Sequence, residues 1–347
     1  MVNYTLKIVE IRWETGDTVT LCFKQPGLKK VKYFPGQYVT LNFRINGRKY
    51  SRPYSFSSSP DLDQTLNVTV KRVPGGVISN HIADCLKVGD TIEVVEPMGD
   101  FTLQNKNIKP DNCLILWAAG SGITPLISIA KYALHHQLVK HITLVYGNRD
   151  VAYTIFSNQI LLLQKQYPDS FKVWNFHTKA FISLNNPDVI EGRIAPEKVL
   201  AVIRQENDIV DSFHYICGPA GLKESVQSAL KEVNVPSNQI FTEEFNLVIN
   251  PQKFDGIITR KVLIKRASSI YSIEVTKGKT ILEAGLDALI DLPYSCQTGS
   301  CLLCKARLIA GKLKSVNENE NNIALMENEH LLCCSLPLTD DIEIAVD

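Results

Sequence analysis

The sequence predicts a multidomain protein with an antiparallel β-barrel, a doubly wound α/β domain and a small C-terminal domain that contains a group of cysteines. Three observations predict this order. Apolar and polar residues alternate in the first third of the 347-residue chain, strand-like apolar runs alternate with helical stripes in the middle, and three cysteines lie close together near the end. A chain of this length is long enough for two or three domains.

Composition and charge exclude several classes of protein. The chain is 45% hydrophobic and 21% charged, as is usual for globular proteins, and a formal net charge of +1 predicts no general attraction to nucleic acid or anionic membranes. Residues 1–6 contain no basic segment followed by an apolar core, and no apolar run approaches the ~18 residues that span a bilayer. We therefore expect a cytoplasmic protein with no signal peptide, no membrane insertion and no nucleic acid partner.

The first segment, residues 1–108, has the pattern of antiparallel strands. Apolar and polar side chains alternate over residues 19–23 and 66–70. Turn sequences at Asn46-Gly47 and at residues 74–76 separate the strand-like runs, so a small barrel is favoured over a helical domain.

The second segment, residues 109–245, alternates strands and helices. Residues 114–119 form a continuous apolar run typical of a central parallel strand, and Thr124-Pro125 opens a helix with proline in its first turn. Further strands are expected at 141–146, 171–176 and 213–217, and further helices at 156–167 and 222–233. This order predicts a doubly wound α/β domain.

A linker is predicted over residues 246–258, ahead of a third segment at 259–347. That segment begins with a hairpin formed by residues 262–264 and 271–275. A helix is expected over residues 281–289.

The cysteines of the third segment are the most specific signal in the chain. Cys296, Cys301 and Cys304 have the spacing C-x4-C-x2-C, and 28 residues separate Cys304 from Cys333. This is the plant-type arrangement of [2Fe–2S] ligands. Gly299 permits a turn between the first two thiols, and small loop residues leave N–H groups for the inorganic sulfurs. A zinc site matches less well, because it normally has two C-x2-C pairs or a Cys/His mixture.

Two adjacent thiols compete for the fourth ligand position. On a strand, the side chains of Cys333 and Cys334 would point to opposite faces, so only one would face the cluster. Residues 331–337 resemble the Leu-x-Cys-x-x-x-Pro frame of plant-type ferredoxins. The resemblance favours Cys333 as the ligand and leaves Cys334 as a spare thiol.

A polar motif follows a strand of the first segment. In Arg52-Pro53-Tyr54-Ser55, the arginine offers a forked cation for a pyrophosphate, the tyrosine ring can lie on a flat isoalloxazine, and the serine hydroxyl can bond to its heteroatoms. An ordinary polar strand end is the alternative interpretation.

Three glycine-containing turns have the features of anion or nucleotide sites. Gly75-Gly76-Val77-Ile78-Ser79 precedes or begins a helix expected over 79–86, and Ser79 is also a candidate N-cap. Gly120-Ser121-Gly122-Ile123-Thr124-Pro125 joins an apolar strand to a helix, although it lacks the full G-x-G-x-x-G fingerprint. Cys217-Gly218-Pro219 also ends a parallel strand, at the edge where open α/β sheets bind ligands. A common strand–helix turn and a buried thiol are the alternatives.

Taken in this order, and with Tyr146-Gly147-Asn148-Arg149, these motifs resemble the ferredoxin–NADP reductase superfamily. With the C-terminal cysteines, the chain resembles reductase components of bacterial oxygenases, of the phenylacetyl-CoA epoxidase type. The resemblance covers essentially the whole chain. It implies an FAD-binding barrel over 1–108, an NAD(P)-binding domain over 109–245 and an α+β (β-grasp) ferredoxin domain over 259–347.

The resemblance also implies roles for individual residues at the flavin. Arg52, Tyr54 and Ser55 would hold the flavin, with the Tyr54 ring stacked on it. The phosphate tail would be lined by the Lys71 backbone and by Gly76, Val77 and Ser79. FAD is favoured over FMN, because this turn suits a longer phosphate tail. Phe245 would cover the other face of the flavin.

At the nicotinamide nucleotide, the resemblance implies a second set of residues. The nucleotide would be faced by Gly120, Gly122, Thr124, Cys217, Gly218 and Pro219. Cys217 would lie near the nicotinamide C4, and Glu243 would lie near the nicotinamide ring. Arg149 and Arg193 could each pair with a 2′-phosphate, so the choice between NADH and NADPH stays open.

The implied activity is that of an oxidoreductase in which a hydride from NAD(P)H reaches the flavin and electrons leave singly through the [2Fe–2S] cluster. The expected acceptor is an oxygenase that acts on phenylacetyl-CoA or an aromatic compound. A desaturase or another hydroxylase is the alternative, and a redox sensor with a structural cluster is a third interpretation. A ferredoxin domain that moves on the linker 246–258 is a further hypothesis.

Overall fold

The computed structural model describes residues 2–179, 189–206, 211–247, 251–317 and 325–346. The chain divides into two compact units. The first comprises Met1–Val39 and Tyr54–Glu244, and the second comprises Thr40–Pro53 and Phe245–Asp347. The domain boundaries expected after residues 108, 245 and 258 stay a prediction.

Antiparallel strands form the N-terminal region, as predicted. Its elements are β1 (Asn3–Thr15), β2 (Thr18–Lys24), β3 (Tyr38–Ile45), β4 (Arg48–Ser55), β5 (Thr65–Lys71), α1 (Val77–Cys85) and β6 (Thr91–Met98). Within the first unit the strands lie in the order β6-β1-β2-β5, and every neighbouring pair is antiparallel. Thr20 on β2 and Thr69 on β5 are buried although they are polar. Their hydroxyls bond to each other at 2.7 Å, so both groups are satisfied away from water.

Helix α1 begins two residues before the predicted start. Its N-cap is Gly76, in extended conformation, so the expectation that Ser79 caps the helix is wrong. The Ser79 hydroxyl instead accepts the backbone N–H of Val73 at 3.1 Å and closes the preceding turn. Because this hydroxyl already has a donor in the turn, the helix starts without a side-chain cap.

A six-stranded parallel sheet forms the rest of the first unit and confirms the predicted α/β domain. Its elements are β7 (Cys113–Ala119), α2 (Ile123–His135), β8 (His141–Asn148), α3 (Ser157–Gln166), β9 (Phe171–His177), β10 (Val189–Glu191), α4 (Pro196–Ile203), β11 (Ser212–Cys217), α5 (Ala220–Glu232) and β12 (Ile240–Glu243). The strand order is β10-β9-β8-β7-β11-β12. The order reverses direction between β7 and β11, which is where sheets of this kind bind ligands.

Both faces of this sheet are covered, which explains why β7 is apolar at every position. Leu114 and Leu116 pack in one buried cluster with residues of α2 and α3, and Ile115 and Trp117 pack in another with residues of α4 and α5. The alternate side chains of a strand point to opposite faces, so a strand between two helical layers needs apolar residues throughout.

A polar contact crosses the middle of the sheet. The Trp117 indole donates to His214 Nδ1 at 3.1 Å, and Ser212 Oγ lies 3.0 Å from His214 Nε2. The imidazole is fully buried, and desolvation lowers the pKa of His214 to about 3. The ring is therefore neutral at physiological pH.

The second unit is a mixed sheet packed against one helix, as expected for a β-grasp domain. After β3 and β4, its elements are β13 (Arg260–Arg266), β14 (Ser269–Val275), α6 (Ile281–Asp287), β15 (Lys305–Ala310), β16 (Leu313–Ser315), β17 (Glu329–Leu331), β18 (Ser335–Pro337) and β19 (Ile342–Val346). Five strands lie in the order β14-β13-β19-β15-β17, with β13 and β19 parallel. Helix α6 starts at a capping box formed by Thr280 and Glu283.

The β3–β4 hairpin, residues 40–53, lies in the second unit although it is far from the cysteines in sequence. Its two-residue turn is Asn46-Gly47, in which both residues have positive φ, at 51° and 79°. These angles are those of a type I′ turn, the connection that suits two twisted antiparallel strands. The predicted turn is therefore confirmed.

Candidate functional site

The predicted flavin motif lies at the C-terminal end of β4. Arg52, Tyr54 and Ser55 all belong to this strand, and Ser55 is buried while the other two are partly exposed. The Arg52 guanidinium donates to the carbonyl oxygen of Ser51 at 2.9 Å. The remaining N–H groups of the guanidinium fork suit an anionic group such as a pyrophosphate.

The loop that follows this motif is fixed to helix α2. Lys131 on α2 forms a 2.7 Å ion pair with Asp63, and Asp63 also accepts the backbone N–H of Ser59 at 2.7 Å. Ser128 donates to the carbonyl oxygen of Ser58 at 2.6 Å. Burial lowers the pKa of Lys131, and the Asp63 carboxylate opposes that shift. The contacts between this loop and helix α2 were not predicted from the sequence, because the residues that make them are distant in the chain and belong to no motif.

The turn before α1 has the features of an anion-binding site. A Cβ on Gly76 would lie 2.8 Å from Ser79 Oγ, and no side chain caps the first N–H groups of this helix. Uncapped N–H groups at a helix N-terminus attract phosphate oxygens. Val77 is exposed at the helix start, and Lys71 lies at the end of β5. These residues fit the phosphate tail of a flavin nucleotide.

The two glycine turns of the parallel sheet pack backbone against backbone. A Cβ on Gly122 would collide with the carbonyl oxygen of Cys217, and one on Gly218 would lie 2.8 Å from the Leu222 side chain. Thr124 donates to the Ser121 carbonyl oxygen at 3.0 Å and closes the first turn. The two turns, here named the cradle, thus lie in close contact, and a side chain at Gly122 or Gly218 would collide with the protein's own atoms, as in the close strand–helix packing that nucleotide-binding turns use.

Cys217 and Glu243 lie at neighbouring strand ends. They are register partners on the parallel strands β11 and β12, and Pro219 is the N-cap of α5. Burial raises the pKa of the Cys217 thiol well above its usual value, and the Glu243 carboxylate adds to the rise. The thiol is therefore neutral, so it offers a small uncharged surface rather than a nucleophile.

A buried amide at the end of β8 was not among the predicted site residues. Both polar atoms of the Asn148 side chain are buried, and the side chain interacts with the Tyr146 phenol on the same strand. The adjacent Arg149 is exposed, and its guanidinium lies 4.7 Å from the centre of the Tyr153 ring. Arg193 is also exposed. The sequence signal that could have identified this residue is a polar side chain at the carboxyl end of a buried parallel strand.

Of the five cysteines in the second unit, Cys296, Cys301, Cys304 and Cys333 interact as two pairs. The Cys301 thiol interacts with Cys296, which raises the pKa of Cys301, and the Cys304 thiol interacts with Cys333 in the same way. Cys333 Sγ also lies within hydrogen-bond distance of Cys334 Sγ, at 3.5 Å. The backbone N–H groups of Thr298 and Cys301 both donate to Cys296 Sγ at 3.4 Å. The thiol of Cys301 is the main reason that the pKa of Cys296 is lowered, to about 4.

Four thiols in two pairs match the number of ligands that a two-iron cluster requires. Among the described residues, no group of three or more Cys, His, Asp or Glu side chains could hold a single metal ion. A [2Fe–2S] cluster needs two ligands on each iron, and all four can be cysteine thiolates. The two thiol pairs therefore suit the cluster that the cysteine spacing predicts.

The segment around Cys333 differs from the prediction. Cys333 and Cys334 lie in a 3-10 turn, Leu332–Cys334, and not on a strand. Both thiols are buried, and their sulfurs are 3.5 Å apart. The tighter rotation of a 3-10 turn keeps neighbouring side chains on adjacent sides, whereas a strand would place them on opposite faces.

The predicted glycine of the cysteine loop is needed for two reasons. Gly299 has a φ of +83°. A Cβ there would lie 2.5 Å from the Asn317 amide nitrogen and 3.0 Å from Cys334 Sγ. Any other residue would therefore strain the backbone and crowd the buried thiol.

Comparison with known proteins agrees with this geometry. Three family models match the chain: an oxidoreductase FAD-binding domain over residues 5–103, an oxidoreductase NAD-binding domain over 116–228 and a 2Fe-2S iron-sulfur cluster binding domain over 265–338. A component of the 1,2-phenylacetyl-CoA epoxidase from Escherichia coli (strain K12) is 30% identical over 99% of this chain and 98% of its own length. The chain belongs to this family of FAD- and NAD-binding oxidoreductases with a [2Fe–2S] domain.

Other members of the oxidoreductase family match along nearly the whole chain. The ferredoxin reductase component of 3-ketosteroid-9-alpha-monooxygenase from Rhodococcus rhodochrous is 30% identical over 95% of this chain and 93% of its own length. The solved structure of phthalate dioxygenase reductase has the same fold, with a TM-score of 0.67 and 23% identity over 99% of this chain and 98% of that chain. The predicted fold class and the cofactors FAD, NAD(P)H and [2Fe–2S] are thereby confirmed.

Two further observations concern the chain as an oxidoreductase of this family. Phe245, predicted to cover the flavin, has a side chain that is 40% exposed. No helix of the described residues is both long and apolar enough to cross a membrane.

Proposed function

We propose that this oxidoreductase passes electrons from NAD(P)H, through FAD and a [2Fe–2S] cluster, to the oxygenase component of a multicomponent oxygenase. The two thiol pairs carry the proposal, because they give a chain with two nucleotide-binding regions a group for one-electron transfer. The names of the relatives support an oxygenase as acceptor, of the phenylacetyl-CoA or aromatic-compound type. FAD supplies two-electron chemistry when it is bound, and the cluster supplies one-electron chemistry.

In this proposal, the residues at the end of β4 bind and orient the flavin. Arg52 binds the pyrophosphate, the Tyr54 ring stacks on the isoalloxazine, and the Ser55 hydroxyl bonds to its heteroatoms. The phosphate tail is held by the Lys71 backbone and by Gly76, Val77 and Ser79. The uncapped N–H groups of α1 support this assignment.

The residues at the sheet edge orient the nicotinamide. Gly120, Gly122 and Thr124 face the nucleotide together with the Cys217-Gly218-Pro219 turn. The neutral Cys217 thiol would lie near the nicotinamide C4 and exclude water there, Glu243 would lie near the nicotinamide ring, and Phe245 would cover the other face of the flavin. Hydride transfer requires that the two rings are aligned and does not require a proton from Cys217. This agrees with the raised pKa of the Cys217 thiol, which keeps its proton.

The metal ligands in this proposal are Cys296, Cys301, Cys304 and Cys333. Cys296 and Cys301 would hold one iron and Cys304 and Cys333 the other, in line with the pairs in which these thiols interact. The N–H groups of Thr298 and Cys301 stabilise the Cys296 thiolate through hydrogen bonds to its sulfur.

An absorption spectrum of the purified protein under anaerobic conditions tests the proposal. We expect flavin bands with a broad cluster absorption at longer wavelength, and both should bleach on addition of NADPH or NADH. Cluster bands without flavin would contradict the reductase assignment, and flavin bands alone would contradict the relay. The faster donor identifies the nucleotide; if it is NADPH, Arg149 or Arg193 would pair with its 2′-phosphate.

A desaturase or a hydroxylase of another type is the second candidate acceptor. The relatives include the reductase component of a glycine betaine monooxygenase, which indicates that members of the family serve varied substrates. Steady-state reduction of the purified oxygenase and desaturase components separates the two. A cytoplasmic location belongs to the proposal as well, because all nine cysteines are free thiols, as expected in a reducing compartment.

A further inference from the structure

The β3–β4 hairpin and the loop before the first cysteine share a buried hydroxyl. Tyr294 Oη accepts the backbone N–H of Ser51 at 2.8 Å and donates to the carbonyl oxygen of Lys49 at 3.1 Å. Tyr294 is 4% exposed and Ser51 is 1% exposed. One phenol therefore satisfies two backbone groups of β4 in a place that water does not reach.

Three further contacts join the hairpin to this loop or to the last residue of helix α6 before it. The hydroxyls of Thr40 and Ser295 bond to each other at 2.5 Å and are buried. At the surface, Arg48 pairs with Asp287 at 2.5 Å and Lys49 pairs with Asp291 at 3.0 Å. Exposed ion pairs contribute little, so the two buried hydroxyl contacts are the ones that fix the geometry.

The position of these contacts in the chain gives them a functional meaning. Tyr294 and Ser295 directly precede Cys296, the first predicted ligand of the cluster. On the other side, β4 continues without a break from Ser51 to Arg52 and Tyr54, the predicted flavin residues. A single side chain thus connects the strand of the flavin motif to the loop of the first thiol.

We propose that Tyr294 is a positioning residue, which fastens the loop of Cys296 to strand β4 so that hairpin and loop act as one piece during electron transfer. This inference rests on the proposed function and deepens it.

The test uses the full-length protein with Tyr294→Phe, which keeps the ring and removes the hydroxyl. Two quantities are measured: the rate of iron loss to an excess of chelator, and the rate of cluster reduction after the flavin has been reduced by NAD(P)H in a stopped-flow instrument. We expect iron loss about tenfold faster, because the two hydrogen bonds of the Tyr294 hydroxyl are lost together. Cluster reduction should be about tenfold slower because small misplacements are costly, while flavin reduction should not change.

Tyr271→Phe is the matched control. Tyr271 lies on β14 in the same unit, and its side chain is 38% exposed. The control also removes one phenolic hydroxyl, but from a partly exposed position, so both rates should equal those of the unaltered protein. Equal rates in Tyr294→Phe and Tyr271→Phe would overturn the proposal, as would a slowed flavin reduction in Tyr294→Phe alone.

A second variant covers the case in which Tyr294→Phe cannot be purified with its cluster. Thr40→Val removes the partner of Ser295 from the hairpin side and leaves the cysteine loop unaltered. As in Tyr294→Phe, iron loss should become faster and cluster reduction slower, each by about threefold. Unchanged rates would overturn the proposal. Failure of the proposed function is distinguishable, because the unaltered protein would then lack flavin or cluster absorption.

Discussion

The glycine turns at the edge of the parallel sheet and the cysteine loop, residues 295–304, are both ligand sites, but different forces form them. Gly122 and Gly218 pack their backbones against neighbouring atoms, so the polypeptide alone gives the nucleotide cradle its shape. The cysteine loop brings buried thiols together in pairs, an arrangement that becomes strongly favourable only when metal replaces the thiol protons. The cradle should therefore be sensitive to an added methyl group, and the loop to a lost ligand.

The largest expected effect is the loss of a thiol in the loop. Cys304→Ser should leave one iron with a single thiolate from the chain, so the cluster should not assemble. Reduction of a one-electron acceptor such as cytochrome c should fall to background, while flavin reduction by NAD(P)H should continue. Iron content and stopped-flow absorbance measure the two parts.

Cys85→Ser is the control for this change. Cys85 is an exposed thiol at the end of α1, so its loss should alter neither iron content nor turnover. An intact cluster spectrum in Cys304→Ser would remove Cys304 from the ligand set.

The second effect is an added methyl group in the cradle. Gly122→Ala would force a Cβ into the carbonyl oxygen of Cys217, and that atom belongs to a buried strand that cannot shift freely. We expect the free energy of unfolding to fall by about 1–3 kcal/mol, a usual range for overpacking. The KM for NAD(P)H should rise, as steady-state kinetics would show.

Gly221→Ala is the matched control for the cradle. Gly221 lies in helix α5 and has no neighbouring atom within 4 Å of the place that a Cβ would occupy. The change should leave the KM as it is and stabilise the protein by at most about 1 kcal/mol, because alanine favours helices. Equal losses in both variants would refute close backbone packing as the cause.

The third effect concerns acid stability of the sheet that carries the cradle. Because the pKa of His214 is about 3 in the folded protein and about 6.5 in the unfolded chain, the unfolded chain binds the proton more readily. Stability should therefore fall as the pH falls from about 6.5 towards 3, and this residue accounts for about 2 kcal/mol at pH 5.

Urea unfolding at pH 7 and pH 5 measures this contribution. His214→Gln keeps an acceptor for the Trp117 indole but cannot take up a proton, so its loss of stability between the two pH values should be smaller by about 2 kcal/mol. An identical pH dependence in both proteins would show that other groups control acid unfolding.

The smallest effect is expected at the spare thiol. Cys334→Ser should keep the cluster, because Cys333 bonds to Cys304 and is the predicted fourth ligand. Its iron content should match that of the unaltered protein, while Cys333→Ser should lose iron. The reverse result would identify Cys334 as the ligand.

The sequence was sufficient for features that depend on local chemistry. The alternation of apolar and polar residues predicted the N-terminal antiparallel strands, and continuous apolar runs between helices predicted the parallel sheet. Asn46-Gly47 predicted a hairpin turn that the backbone angles confirm. The cysteine spacing predicted a cluster domain, which a family model matches. Ser79 was assigned as an N-cap wrongly, because its hydroxyl bonds to Val73 in a turn that no local pattern reveals.

Features that depend on distant contacts could not be read from the sequence. The pair Lys131–Asp63 and the bond between Tyr294 and Ser51 join residues far apart in the chain. Neither has a spacing rule, since each depends on how whole elements pack. The 3-10 turn at Cys333 is a third case, because a short apolar run is compatible with a strand as well.

The place of the hairpin also limits how this chain could be recombined with its relatives. An exchange of only the residues after 245 would transplant Tyr294 without the Ser51 and Lys49 backbone that it satisfies. A hybrid reductase with a foreign iron-sulfur module should therefore fold and couple best when residues 40–53 are taken from the same parent. The unit to be exchanged is therefore encoded by two separate stretches of the gene, one for residues 40–53 and one for the residues after 244.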